Sequence, residues 1–193
     1  MKTEYEAKFL KINKGDIRKK LKKIGAKLIK SEFLQKRIAF HLPKKSIKNG
    51  WLRVRDEGDR ITISLKYING KKIDDQKEIL LVVDNFANAV SMLESMGCVR
   101  KAYQETKREC WKFDKVDITL DEWPFLEPFI EIEGRSKREV VDVSNKLGFN
   151  FAKAVFGAAD TLYHQKYSTS KDIINNHTPQ ITFTVPNPFG KET

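Results

Sequence analysis

The sequence predicts an α+β fold: antiparallel strands with helices packed on their apolar faces. Three observations carry this. Segment after segment alternates apolar and charged residues at period two, as where Tyr5, Ala7 and Phe9 interleave with Glu4, Glu6 and Lys8. The links between successive strand-like segments are short, which suits antiparallel neighbours. Between them lie stretches whose apolar residues recur at helical spacing, bounded by capping residues and glycines.

In chain order, strands are expected over about 3–10, 27–42, 50–56 and 60–68. A first helix separates the first two, capped by Asp16 and stopped at Gly25, with Ile17, Leu21 and Ile24 on its apolar side. Gly58-Asp59 supplies the turn between the third and fourth strands. A strand over 77–83 leads to Asp84 and Asn85, which offer capping oxygens to a helix carrying Phe86, Val90, Leu93 and Met96 and ending at Gly97. Three more strands follow over about 101–113, 115–121 and 128–133. Ser136 and Glu139 then form a capping box for a helix closed by Gly148. A last helix is expected over 151–167, with Gly157 as its weak point, and 168–193 reads as a polar tail rich in Ser, Thr, Asn and Pro.

The charged faces admit two arrangements. An open sheet would bury its apolar face under helices and show Glu4, Arg53, Arg55, Lys66, Glu131 and Glu133 to water. A closed barrel would turn the same residues inward; about eight strands leave room for one small ligand. Buried charges must be paired or bind metals, so a polyanion with a divalent cation would satisfy both halves of such a lumen. The spacing of Glu4 and Glu6 beside Lys8 suggests a metal-binding strand, because two carboxylates so close repel unless a cation intervenes.

Composition bounds the function further. The 193 residues suffice for one domain with a real core, and 40% hydrophobic content with 12 Phe is that of a globular protein. A net charge of +11 points to an anionic partner, although the lysines between Lys14 and Lys30 fit the solvated face of the first helix. No stretch approaches the roughly 18 apolar residues of a membrane span, and no signal-peptide pattern opens the chain. Cys98 and Cys110 lack metal-type spacing, so packing roles in a reducing cytoplasm are expected.

The motifs in their order resemble the CYTH superfamily, the triphosphate tunnel metalloenzymes. They are Glu4-x-Glu6-x-Lys8, Arg53-x-Arg55 after Gly50-Trp51-Leu52, Lys66, and the run from Asp121 through Trp123-Pro124 to Glu131-Ile132-Glu133-Gly134. The resemblance covers roughly residues 1–167, which makes 168–193 a separate tail. It implies an eight-stranded antiparallel closed β-barrel with helices outside, whose tunnel binds a triphosphate. It also implies an activity among class IV adenylate cyclase, thiamine triphosphatase and inorganic triphosphatase.

Carried onto this chain, the resemblance makes Glu4, Glu6, Asp121, Glu131 and Glu133 the metal ligands. Oxygen-only ligation suits Mg²⁺ or Mn²⁺, and the lack of a His/Cys cluster argues against zinc. Lys8, Arg37, Arg53, Arg55, Lys66 and Arg108 become the substrate-binding set, with forked guanidinium donors for phosphate oxygens. Glu4, Glu6 and Lys8 are the catalytic candidates. Some positions depart from the family pattern. Ala39 lacks the hydroxyl that some hydrolytic members use, Thr106-Lys107-Arg108 stands where relatives show Lys-x-Arg, and Leu80 follows Glu78 where an acid would alternate, leaving Glu78 a secondary candidate.

Hydrolysis of a triphosphate is the leading expectation, because no adenine-binding residue stands out; cyclisation of ATP is the alternative. A non-catalytic polyphosphate or RNA binder is a reading of another class, which five gathered acids disfavour. The expected partner is a triphosphate-containing small molecule, with neither nucleic acid nor membrane required and pairing of two copies left open.

Overall fold

The computed structural model describes residues 1–43 and 49–190. Its strands are β1 (Lys2–Phe9), β2 (Lys27–His41), β3 (Gly50–Asp56), β4 (Ile61–Ile68), β5 (Gln76–Val83), β6 (Val99–Phe113), β7 (Val116–Glu122), β8 (Phe129–Gly134) and a short β9 (Gln180–Ile181). Helices α1 (Lys14–Lys23), α2 (Phe86–Ser95), α3 (Lys137–Lys146), α4 (Ala159–Tyr167) and α5 (Lys171–Asn176) lie between or after them.

Strands pair in the order β2-β3-β4-β5-β1-β8-β7-β6, and β6 returns to β2, closing an eight-stranded antiparallel barrel. The closure is long: pairing runs from Lys27↔Lys112 to His41↔Val99 along the full length of both strands. Only β9 is parallel, added to β6 at Tyr103 and Gln104.

Alternation decides what goes where. The outward residues of β1, β7 and β8 (Ala7, Ile118, Leu120, Ile130, Ile132) pack with Ile17 and Leu21 of α1 and Val140 and Val143 of α3. On the other side, Ile38, Phe40, Val54 and Ile63 are covered by Ala89, Val90 and Leu93 of α2. The barrel is therefore apolar outside, under its helices, and charged within.

Local signals explain most element ends, with three corrections. The cap of α1 is Asn13, whose side chain accepts from the Asp16 amide at 3.1 Å; Asp16 itself lies in the first turn, where its charge meets the positive end of the helix dipole. In α3, Ser136 caps as expected, but Glu139 reaches the Arg135 amide at 2.7 Å and not that of Ser136. The helix expected over 151–167 is broken: a 3-10 turn covers Phe151–Lys153, Val155 pairs with Lys8, Gly157 takes φ +104°, and α4 starts only at Ala159. The chain after Ser168 packs on the body, where Ile174, Ile181 and Phe189 are buried with Trp123, Phe129, Leu162 and Tyr163.

Candidate active site

The bore of the barrel is a cavity of about 1850 Å³ lined by Glu4, Glu6, Lys8, Arg37, Arg53, Arg55, Lys66, Arg108, Glu131 and Glu133. Strand order sorts them by charge. Strands β2, β3 and β4 are neighbours and carry Arg37, Arg53, Arg55 and Lys66; β5, β1 and β8 are neighbours and carry Glu78, Glu4, Glu6, Glu131 and Glu133. Registration sets the levels, with Arg37 beside Arg55 across β2–β3, Glu6 beside Glu133 and Lys8 beside Glu131 across β1–β8.

The two rows meet in a net of ion pairs. Lys66 holds Glu4 at 2.9 Å and Glu78 at 3.5 Å, while Arg53 reaches Glu78 at 3.3 Å. Glu4 also accepts from the Gln76 amide. Lys8 pairs with Glu6, approaches Glu131 at 3.5 Å and donates to the Gly157 carbonyl at 2.8 Å. Burial opposes the charge on Lys8, but Glu6 and Glu131 outweigh it and push its pKa up, so it stays an ammonium. Burial likewise works against Glu131, yet Lys8 and Arg108 hold its pKa down at about 2. Glu133 is the opposite case: burial, then the neighbouring Glu4 and Glu6, raise its pKa to about 7.

The basic wall is less satisfied. Arg37 donates to Gln35 at 3.0 Å and to Thr106, and stacks over the Trp123 ring at 4.6 Å. The Nε atoms of Arg37, Arg53 and Arg55 are all buried without a hydrogen-bond partner. Burial and then mutual repulsion lower the pKa values of Arg37 and Arg55, the latter to about 9, still protonated at neutral pH.

Asp121 stands apart from the other acids. It is fully buried, and both of its oxygens serve Arg108, at 2.6 and 2.9 Å; Thr119 also donates to it, at 2.6 Å. The structure thus brings Glu4, Glu6, Glu131 and Glu133 to one bore and sets Asp121 behind Arg108. Lys166 lies outside the bore, on the Phe125 carbonyl and Glu127.

Sequence reasoning missed Glu57. It is 5% exposed, pairs with Arg55, and accepts from Arg60 at 2.5 Å. The signal was there, since Glu57 continues the alternation of Arg53 and Arg55, but proximity to the Gly58 turn hid it.

Glu4, Glu6, Glu131 and Glu133 are hard oxygen donors of the kind Mg²⁺ or Mn²⁺ takes. The raised pKa of Glu133, caused after burial by Glu4 and Glu6, marks a spot where carboxylates repel and a cation would relieve them. Among the described residues no three acids are yet drawn together as a metal cage, because each is turned onto a lysine or arginine. The donor chemistry fits a divalent cation that replaces some of these internal cations.

Fold and bore together define an inverted barrel, one that packs its apolar residues outside and keeps opposed acids and bases within. The chain belongs to the CYTH domain family, whose sequence profile matches residues 2–155. This family includes enzymes that act on triphosphates and generally depend on divalent metals. Among curated proteins, none matches the chain. Solved structures do. A conserved hypothetical protein from Pyrococcus furiosus matches at 21% identity over 79% of this chain and 94% of its own, with a TM-score of 0.66. A protein from Vibrio parahaemolyticus, provisionally named an adenylate cyclase, matches at 17% identity over 83% and 97%, with a TM-score of 0.71. One from Hippeastrum, also provisionally named an adenylyl cyclase and described as having a dominant triphosphatase activity, matches at 12% identity over 88% and 97%, with a TM-score of 0.56. At these identities the likeness establishes the fold and leaves the reaction to the site. Among the described residues no helix is long and apolar enough to cross a membrane.

Proposed function

We propose that this protein is a divalent-metal-dependent triphosphatase that hydrolyses an inorganic or organic triphosphate held along its bore. One observation carries the reading: Arg37, Arg53 and Arg55 crowd one wall with buried, unpartnered Nε donors. An unsatisfied buried donor costs about 1–3 kcal/mol, more when charged. A cluster of three persists where an anion completes it, and a phosphate chain offers acceptor oxygens at successive positions.

In this reading Arg53 and Arg55, two residues apart on β3, grip neighbouring phosphoryl groups while Arg37 closes from β2. Arg108 is held in place by Asp121 and Glu131 and supplies a fixed positive charge where charge builds on the transferring group. Lys8, kept protonated by its acidic neighbours, acts as an electrostatic contact and not as a base. Glu4, Glu6, Glu131 and Glu133 would hold Mg²⁺ or Mn²⁺, which supplies Lewis acidity toward phosphoryl oxygens. Lys66 and Lys8 would hand their carboxylates over as the substrate takes their charge.

The test is incubation with tripolyphosphate, thiamine triphosphate and ATP, each with Mg²⁺ or Mn²⁺, and separation of the products. Release of orthophosphate is expected. Cyclic AMP and pyrophosphate from ATP would assign the cyclase reaction instead, and salt-sensitive binding with no metal-dependent turnover would make the protein a binding module.

A further inference from the structure

Lys101 lines the same bore, half-buried, yet makes no ion pair or hydrogen bond among the described residues. Its orientation has a specific cause. Along the β2–β6 seam Ala39 faces Ala102, but the next pair is Phe40 with Arg100, so Lys101 is an extra residue without a partner on β2. A bulge of this kind re-aims a side chain, and such bulges gather beside active sites. Phe40 is buried in the outer core; Lys101 instead joins His41 on the bore side.

The acid acting on Lys101 is Asp160, and it is already engaged, by Lys171 at 3.5 Å and by the Asn175 amide at 2.9 Å. Lys101 is therefore a free cation. It lies about two residue rises, roughly 7 Å, beyond Arg37 along the wall. Between them stand only the small side chains of the Ala39–Ala102 pair, which leave the path along the wall open.

We propose that Lys101 holds a further phosphoryl group past Arg37, so that the bore takes linear inorganic phosphate chains longer than triphosphate. This rests on the triphosphate reading of the same bore. The row Arg55, Arg53, Arg37, Lys101 is then one continuous anion track, with its far end under the C-terminal segment.

The experiment is calorimetric titration of the metal-free protein with tripolyphosphate and with tetrapolyphosphate, for the wild type, K101Q and K101R. The wild type is expected to bind tetrapolyphosphate about tenfold more tightly, as one more charge-assisted contact would give. K101Q should bring the ratio of the two affinities close to one, and K101R should keep most of it. A wild-type ratio near one, or a K101Q ratio equal to the wild type's, overturns the inference while leaving the triphosphate reading intact. If the wild type binds neither ligand, the triphosphate reading itself falls. Were Lys101 only a strut for the C-terminal segment through Asp160, K101Q would lower the melting temperature with the ratio unchanged, which also overturns it.

Discussion

Asp121 holds Arg108 with both carboxylate oxygens, at 2.6 and 2.9 Å, and the same guanidinium reaches Glu131 at 2.8 Å. Arg108 thus joins a fully buried acid to one that lines the bore. Replacing Asp121 by Asn would leave a buried guanidinium without its countercharge, which typically costs about 3–5 kcal/mol. D121N is expected to lower the urea midpoint and to reduce kcat more than it raises KM. An unchanged midpoint would show that Asp121 does not anchor Arg108.

Glu57 occupies Arg55 in the absence of substrate. Burial raises its pKa, but Arg55 and Arg60 outweigh that and keep it ionised. A phosphate must compete with this internal anion. E57Q should therefore bind tripolyphosphate several-fold more tightly by calorimetry while melting at a lower temperature, since Arg55 loses its partner. Weaker binding would assign Glu57 a supporting role in place of a competing one.

The Glu133 carboxyl has a pKa of about 7 in the folded protein, against a reference value of 4.5. The folded state consequently binds more protons than the unfolded one between these values, and this group's contribution to stability falls as pH rises from about 4.5 to 7. Chemical denaturation in EDTA should show that decline, and E133Q should flatten it. In the wild type, Mn²⁺ affinity should rise over the same window as the site deprotonates. A pH-independent Mn²⁺ affinity would remove Glu133 from the ligand set.

Glu4 and Glu131 serve both the metal and the internal cations. E4Q and E131Q are expected to lose metal-dependent turnover by about a hundredfold or more, with far-ultraviolet circular dichroism preserved. Full activity in both would refute the metal assignment.

Phe189 is 5% exposed and packs 4.6 Å from the Tyr163 ring, centroid to centroid, beside Trp123, on which Arg37 stacks. F189A should destabilise the protein by about 3 kcal/mol. Loosening this cluster should also weaken tripolyphosphate binding through Arg37. A variant with wild-type affinity would show that the C-terminal packing does not reach the site.

The strands were legible because alternation is a local property. Glu4, Glu6 and Lys8 must share a face whatever lies around them, and so must Arg53 and Arg55. The caps at Asn85 and Ser136 were readable for the same reason, each being a side chain answering an amide three residues on. Where two residues could cap one helix, as with Asn13 and Asp16, the sequence did not choose, because either oxygen suits the role and only the entering chain direction selects one. Glu57 and Lys101 escaped notice for different reasons. One sat beside a turn signal, and the other owes its orientation to a bulge created by pairing with a strand sixty residues away.

By itself the sequence determined which residues travel together: acids with acids on β1 and β8, arginines with arginines on β3, each backed by an apolar row. It could not say which row faces inward, since alternation is symmetric between an open sheet and a closed one. Tertiary structure decided that through the pairing of β2 with β6, which turns the charged rows toward one another across a shared bore. Closure also decided which charges stay free. Asp121 is taken by Arg108 and Glu57 by Arg55, whereas Lys101 and three arginine Nε atoms are left facing a space that an anion can fill.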